Sequence, residues 1–251
     1  MWEYGRVGYG SMGGWGCGSV DLIWEGVRKA FELLIHRDRE VLEITLLSLR
    51  VSGLATIGSL FLGVSIGTFL ALSRFPGHRL WITLINTGMG LPPVVVGLFV
   101  TILLWRNGPL GFFHLLYTPT AMVIAQTILA TPIMAGLTIA AIQHLNPKLR
   151  LQILALGASR YQMVWLLLKE ARLPLLAAVM ASFGGVISEV GASMMVGGNI
   201  KGQTRVLTTA TVLETSKGEF GMAIALSILL FLLTFSVNLT LTLLQQRERP
   251  K

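Results

Sequence analysis

Residues 151–174 read LQILALGASRYQMVWLLLKEARLP, a basic, helix-prone insert set between two long apolar runs. Two membrane helices can be joined by a few residues, so an insert of this length and charge needs a partner to account for it. It holds Leu156-Gly157-Ala158-Ser159-Arg160 and closes on Leu173-Pro174, where the next apolar run opens.

On either side the chain loses its charge. No charged residue occurs between Arg106 and Lys148, from Leu80 to Trp105, or from Phe220 to Gln246. A bilayer core of roughly 30 Å takes about 20 apolar residues of helix, and several such runs in one chain exceed what a soluble core uses. With 53% apolar and 13% charged residues and a mean hydropathy of +0.69, the chain reads as an all-α, polytopic membrane bundle. A membrane domain over 41–245 is expected to hold five spans, at about 46–72, 80–105, 119–142, 174–196 and 221–244, with the basic loop at 143–173.

The chain carries a net charge of +8, and basic residues cluster in short loops: Arg74 and Arg79; Lys148, Arg150, Arg160, Lys169 and Arg172; Arg247, Arg249 and Lys251. That bias marks the three loops as cytoplasmic. Five spans then leave the C-terminus in the cytoplasm and the N-terminus outside. Arg28, Lys29, Arg37 and Arg39 oppose this orientation, and the seven acids from Glu3 to Glu43 count little against them. No basic patch interleaved with aromatics supports nucleic-acid binding. A lone Cys17 gives neither a disulfide framework nor a cysteine metal site.

Met1–Ser19 contains seven glycines without periodicity, so residues 1–20 read as a flexible tail, with Met12 an alternative start. Over 21–40, Ile23, Val27, Ala30, Phe31 and Leu34 recur at helical spacing among charges, the pattern of an amphipathic surface helix.

Within the first span Ala55, Ser59, Gly63, Gly67 and Ala71 fall every four residues, one smooth stripe for a neighbouring helix. The same residues spell Gly63-Val64-Ser65-Ile66-Gly67, a GxSxG pattern that works only on a strand–turn–helix elbow, so packing is the better reading. In the second span Pro92 and Pro93 must bend or break the helix, either as a packing kink or as a wall of a translocation path. Residues 197–204 align with a phosphate loop except that Gln203 replaces the lysine, and no strand precedes them; ATP binding is rejected. His36, His78, His114 and His144 show no metal-ligand spacing. Glu189 is a carboxylate at membrane depth and needs a partner, either as a structural link or as a gate. Val206, Ala210 and Leu213 mark a short amphipathic helix, and Ser216-Lys217-Gly218-Glu219 reads as a capping box opening the last span.

Residues 151–174 resemble the EAA loop of ABC-importer permeases. Together with Leu91-Pro92-Pro93-Val94-Val95-Val96-Gly97 and the run from Glu189 to Asn199, they resemble type I permeases of the molybdate, sulfate and tungstate group over roughly 41–245. The wording of 189–199 and of 205–210 is nearest the tungstate branch. The resemblance implies a homodimer in the prokaryotic plasma membrane and two cytoplasmic ATPase subunits, which bind ATP and Mg, whereas this chain binds no cofactor. It also implies an extracytoplasmic oxyanion-binding protein and alternating access. Leu156, Gly157, Ala158, Ser159 and Arg160 would contact the ATPase; Glu189, Pro92, Pro93 and Asn199 are the pathway or gate candidates. One departure stands out: the signature Glu-Ala-Ala falls at Leu151-Gln152-Ile153, so the loop lacks its acidic start. The competing readings are a molybdate or sulfate permease, an intramembrane enzyme using Ser65 or Glu189, and a passive channel, which would not need the loop.

Overall fold

The computed structural model describes residues 18–35 and 38–247, and every regular element among them is helical. Besides a 3-10 turn at Gly111–Phe113, these are in order α1 (Gly18–Ile35), α2 (Arg39–Leu72), α3 (His78–Met89), α4 (Pro93–Leu104), α5 (Pro119–Gln143), α6 (Pro147–Ala155), α7 (Arg160–Glu170), α8 (Arg172–Ile187), α9 (Gly191–Gly197), α10 (Leu207–Ser216) and α11 (Phe220–Arg247). The tail before Gly18, with Cys17 and Met12, lies outside the described residues.

Three helices, α2, α5 and α11, are long and apolar enough to cross a bilayer unbroken. The other two expected spans are not straight. The run over 80–105 is α3 and α4, bent by 102°, and the run over 174–196 is α8 and α9, bent by 58°. Pro92 and Pro93 cause the first bend, since neither supplies a backbone N–H and Pro93 is preset for the first turn of a new helix. The expected first span, 46–72, also changes. It begins at Arg39, because the Asp38 carboxylate accepts from the N–H groups of Glu40 (2.9 Å) and Val41 (3.2 Å) and starts the helix there.

Against the expected 21–40 helix, α1 ends at Ile35 and a separate helix opens at Arg39. Its contact with the bundle is made by small residues. Gly26 and Ala30 are buried, and a Cβ on Gly26 would stand 2.3 Å from Ile224 of α11. Ile23 and Phe31, which carried the expected apolar face, are exposed.

α5 is the hub, packed on α2, α3, α8 and α9. The α2 face toward it is the small-residue stripe: Ala55, Ser59, Gly63 and Gly67 are all buried. A Cβ on Gly63 would stand 2.5 Å from the Met134 Cβ, and one on Gly67 2.7 Å from the Ala135 carbonyl oxygen. Glycine there lets two backbones approach, and the contact gives dispersion energy that lipid cannot replace. Ser65 faces away, its hydroxyl bonded to the Phe61 carbonyl at 2.6 Å. The largest core cluster gathers Val51, Val96, Val100, Leu104, Met122 and Val196, from α2, α4, α5 and α9.

The two ends of the bundle differ. At one end lie the α2–α3 turn, α6, α7 and the tail of α11, tied together by Arg150 Nη1 donating to the Leu72 carbonyl (3.2 Å) and Gln245 Nε2 to the Leu173 carbonyl (3.2 Å). At the other, the start of α2 meets residues 198–207: Leu207 N–H donates to the Ser48 hydroxyl at 2.8 Å. Residues 216–219 do not form the expected box: Ser216 lies in α10, its hydroxyl donating to the Val212 carbonyl at 2.8 Å. Gly218, at φ +81°, ends α10 instead, with Gly218 N–H bonded to the Thr215 carbonyl and Glu219 N–H to the Glu214 carbonyl.

Candidate functional sites: a docking knob and a double helix break

α6 and α7 form a helical hairpin whose turn follows from its sequence. Asn146 caps α6 by accepting from Lys148 N–H at 2.9 Å, and Pro147 fills its first position. The helix stops at Leu156. Gly157 N–H bonds to the Leu154 carbonyl (3.0 Å) and Ala158 N–H to the Ile153 carbonyl (3.3 Å), with Gly157 left-handed at φ +81°. Ser159 then opens α7 with a reciprocal box: Gln162 N–H donates to the Ser159 hydroxyl (3.3 Å), and Ser159 N–H to Gln162 Oε1 (2.7 Å). The five residues Leu156–Arg160 are thus one stop, one left-handed turn and one start.

Inside the hairpin Ile153, Met163 and Leu167 are buried, with Leu72, Leu145 and Leu149 packed on them. Outside, an apolar surface stands free at the basic end: Leu156 is 87% and Tyr161 90% exposed, with Leu151 and Trp165 beside them. Nothing lies within 4 Å of where a Gly157 Cβ would be. Glycine is required here for its φ, and the space around it is open. Two large apolar side chains held in water by a capped hairpin make a surface that burial against a partner stabilises.

The second arrangement lies within the bundle. Half-helices α4 and α9 pack on each other: a Cβ on Gly97 would be 2.8 Å from the Ala192 Cα, and one on Gly191 2.7 Å from Val94 Cγ2. The α8–α9 break centres on Glu189, whose Oε1 accepts from Ala192 N–H at 2.9 Å. The carboxylate therefore caps α9, meeting orphan N–H groups and the positive end of the helix dipole. Thr208 Oγ1 donates to the Glu189 carbonyl at 3.2 Å. Among the described residues Glu189's partner is backbone, not a basic side chain.

Both breaks open onto one cavity of about 160 Å³, lined by Leu91, Pro93, Gln126, Gly185, Val186 and Glu189 among others. Gln126 is buried, its Nε2 donating to the Ser193 hydroxyl at 2.9 Å while its Oε1 has no partner. The structure so brings Pro93 and Glu189 together, with Pro92 at the break itself. Asn199 does not line this cavity. It sits left-handed (φ +51°) in the α9–α10 turn, its Nδ2 donating to the Thr209 carbonyl at 3.4 Å. Sequence reading missed Gln126, a polar side chain in an uncharged span with no motif around it. Among the described residues no cluster of His, Cys, Asp and Glu could hold a metal ion.

Comparison with known proteins fits this geometry. The family model of binding-protein-dependent transport system inner membrane components matches residues 63–250. The chain is 41% identical over 227 residues to the tungstate uptake system permease protein TupB of Peptoclostridium acidaminophilum, covering 90% of this chain and 100% of that one. Identity is 36% to the protein of the same name from Campylobacter jejuni (87% and 92% covered) and 29% to the molybdenum transport system permease protein ModB of Escherichia coli K12 (72% and 83%). Among solved structures, a bacterial ABC transporter importing the acidic polysaccharide alginate superposes with a TM-score of 0.74 at 15% identity, over 93% of this chain and 90% of that one. The MetNI methionine ABC transporter in an inward-facing form gives 0.67 at 19%, over 82% and 94%. At such identities these two show the fold alone. The chain belongs to the family of binding-protein-dependent transport system inner membrane components, as a multi-pass permease subunit.

Proposed function

We propose that this chain is the membrane permease of an ATP-driven importer of tungstate. The observation that carries the proposal is the 41% identity, across 90% of the chain, to a tungstate uptake permease. The relative named for molybdenum is more distant, at 29%, and a molybdate or sulfate permease is the alternative.

In this reading two copies flank one pathway, and the cytoplasmic face is the basic end that carries the α6–α7 knob and the C-terminus. Two ATPase subunits, holding ATP and Mg, receive the two knobs at Leu156–Arg160. Closure of the ATPase pair moves the knobs, and the movement reaches the half-helices α4 and α9 through the packed bundle. Glu189, Pro92 and Pro93 border the cavity where those half-helices begin, and their displacement opens or shuts the path. Short half-helices beside a cavity are the non-regular backbone that a membrane tolerates only under protein or water cover. The opposite face, with α10 and residues 198–207, receives an oxyanion-binding protein.

The test is ATP-dependent tungstate uptake into vesicles holding the chain with its ATPase and binding protein. Uptake that needs all three components and ATP is the expected result. Co-isolation of no ATPase, or transport without ATP, overturns it.

A further inference from the structure

At the face opposite the knob, the first three turns of α2 and the turn at 200–205 enclose a cavity of about 630 Å³. Its charged lining is Arg39, Glu40, Glu43, Arg50, Lys201 and Arg205, four cations against two carboxylates. Glu43 is taken by Arg39 at 2.9 Å. Glu40 alone serves the rest: Lys201 Nζ lies 2.6 Å from one of its oxygens and Arg205 Nη1 3.7 Å from the other. Arg50 has no ion-pair partner among the described residues.

Arg205 is the decisive group. Its side chain is only 16% exposed, its Nε is buried without a hydrogen-bond partner, and its ion pair is longer than a hydrogen bond. A guanidinium withdrawn from water needs more than one loose partner. It is also fixed in place. Thr204 Oγ1 bonds to the Gly197 carbonyl and accepts from Ile200 N–H, Gly202 turns left-handed, and Leu207 is tied to Ser48. Glu40, Lys201 and Arg205 also line an adjoining, smaller cavity, where Asp38 and Glu214 face them. Both are engaged, Asp38 in capping α2 and Glu214 with Lys217 at 2.7 Å.

We infer that this cavity is an anion-capture site for a tetrahedral oxyanion, bound by Arg205, Arg50 and Lys201, with Glu40 as a resident counter-ion that the anion displaces. The excess of two positive charges matches a dianion. Rigid guanidinium donors suit tetrahedral oxygens, and a cavity of net positive charge raises the local anion concentration. The inference rests on the import reading for its ligand, placing on this chain a first station for the released anion. A lipid headgroup phosphate offers the same chemistry from another source.

The experiment is equilibrium dialysis of tungstate against the purified permease–ATPase complex, without binding protein, in dodecyl maltoside, which carries no phosphate. Arg50 is exposed, so Arg50→Gln keeps the fold; a thermal melt checks it. Arg50→Gln is expected to weaken tungstate binding about tenfold or more, the scale of one lost charge-assisted hydrogen bond. Glu40→Gln is expected to tighten it about two- to fivefold, the scale of an exposed ion pair. A purely structural cluster would leave tungstate unbound or both variants like wild type, and that result overturns the site. In a second arm the complex is given phosphatidylglycerol. Retention of that lipid, reduced by Arg50→Gln, with no tungstate bound in detergent, assigns the site to headgroup phosphate. Wild-type uptake in vesicles separates the two readings. Uptake without capture refutes this site alone, and absence of uptake refutes the import reading.

Discussion

Gly97 of α4 and Ala192 of α9 touch backbone to backbone, with room for no side chain between them. The contact joins the two broken spans at close range. Gly97→Val would push its first carbon to 2.8 Å from the Ala192 Cα, and overpacking of this kind costs about 1–3 kcal/mol. A lower melting temperature of the purified complex, with uptake reduced, is the expected outcome. Wild-type values for both would show that the half-helices are free to separate.

Glu189→Gln keeps an oxygen for Ala192 N–H, whereas Glu189→Leu leaves that donor unmet. An unsatisfied group costs about 1–3 kcal/mol, so the leucine variant should melt lower and transport less than the glutamine variant. Identical melts and uptake in both would show that capping of α9 contributes nothing.

Leu156 and Tyr161 can be changed without harming the fold, since neither is buried. Leu156→Asp and Tyr161→Asp should insert normally yet fail to co-purify the ATPase and lose uptake. Gly157→Glu adds charge to the same open space and forces a side chain into a left-handed φ, a strain of about 1–2 kcal/mol. Undiminished ATPase recovery from all three variants would remove the knob from the docking surface.

Two glycines of α2 provide a matched comparison. Nothing lies within 4 Å of a Cβ on Gly53, but one on Gly63 meets Met134 and the Ala135 backbone nitrogen. Gly53→Ala should be neutral or stabilise by up to about 1 kcal/mol through helix propensity, while Gly63→Ala destabilises. Thermal melts of the two variants side by side decide the matter, and equal effects would discount the close approach of α2 to α5.

Cargo choice should follow the binding protein. Tungstate and molybdate are both tetrahedral dianions, and a pathway of helix ends and small polar groups has little with which to separate them. Exchanging the binding protein for a molybdate-selective relative that docks should therefore change the cargo with no permease mutation. A chimera that stimulates ATP hydrolysis yet refuses molybdate would place selectivity in the permease.

The parts legible in the sequence were those written in composition and spacing. Charge-free runs gave the apolar segments, and the four-residue spacing of Ala55, Ser59, Gly63 and Gly67 gave the α2 face that meets α5. Pro92 and Pro93 announced a break, but proline fixes only local dihedrals, so the 102° turn between α3 and α4 was not readable from them. The Glu189 break had no proline to mark it; a carboxylate capping a new helix looks, in sequence, like a charge in the middle of a span. The first turns of α2 were missed for the opposite reason. Arg39, Glu40 and Glu43 end the apolar run without ending the helix, because hydropathy reports the surroundings of a helix and not its length. Ser216–Glu219 shows the limit of a motif: the same residues can open one helix or close another, and the left-handed Gly218 chose closure.

α2 has one further property. It is a single rod, beginning beside the Glu40 carboxylate that holds Lys201 and ending at the Leu72 carbonyl held by Arg150 of the α6–α7 hairpin. At 1.5 Å per residue its 34 residues reach about 51 Å, and a tilt of about 10° about one tip carries the other by about 9 Å. One helix thus carries, at its two tips, an ion pair of one face and a hydrogen bond of the other, and any tilt of it displaces both.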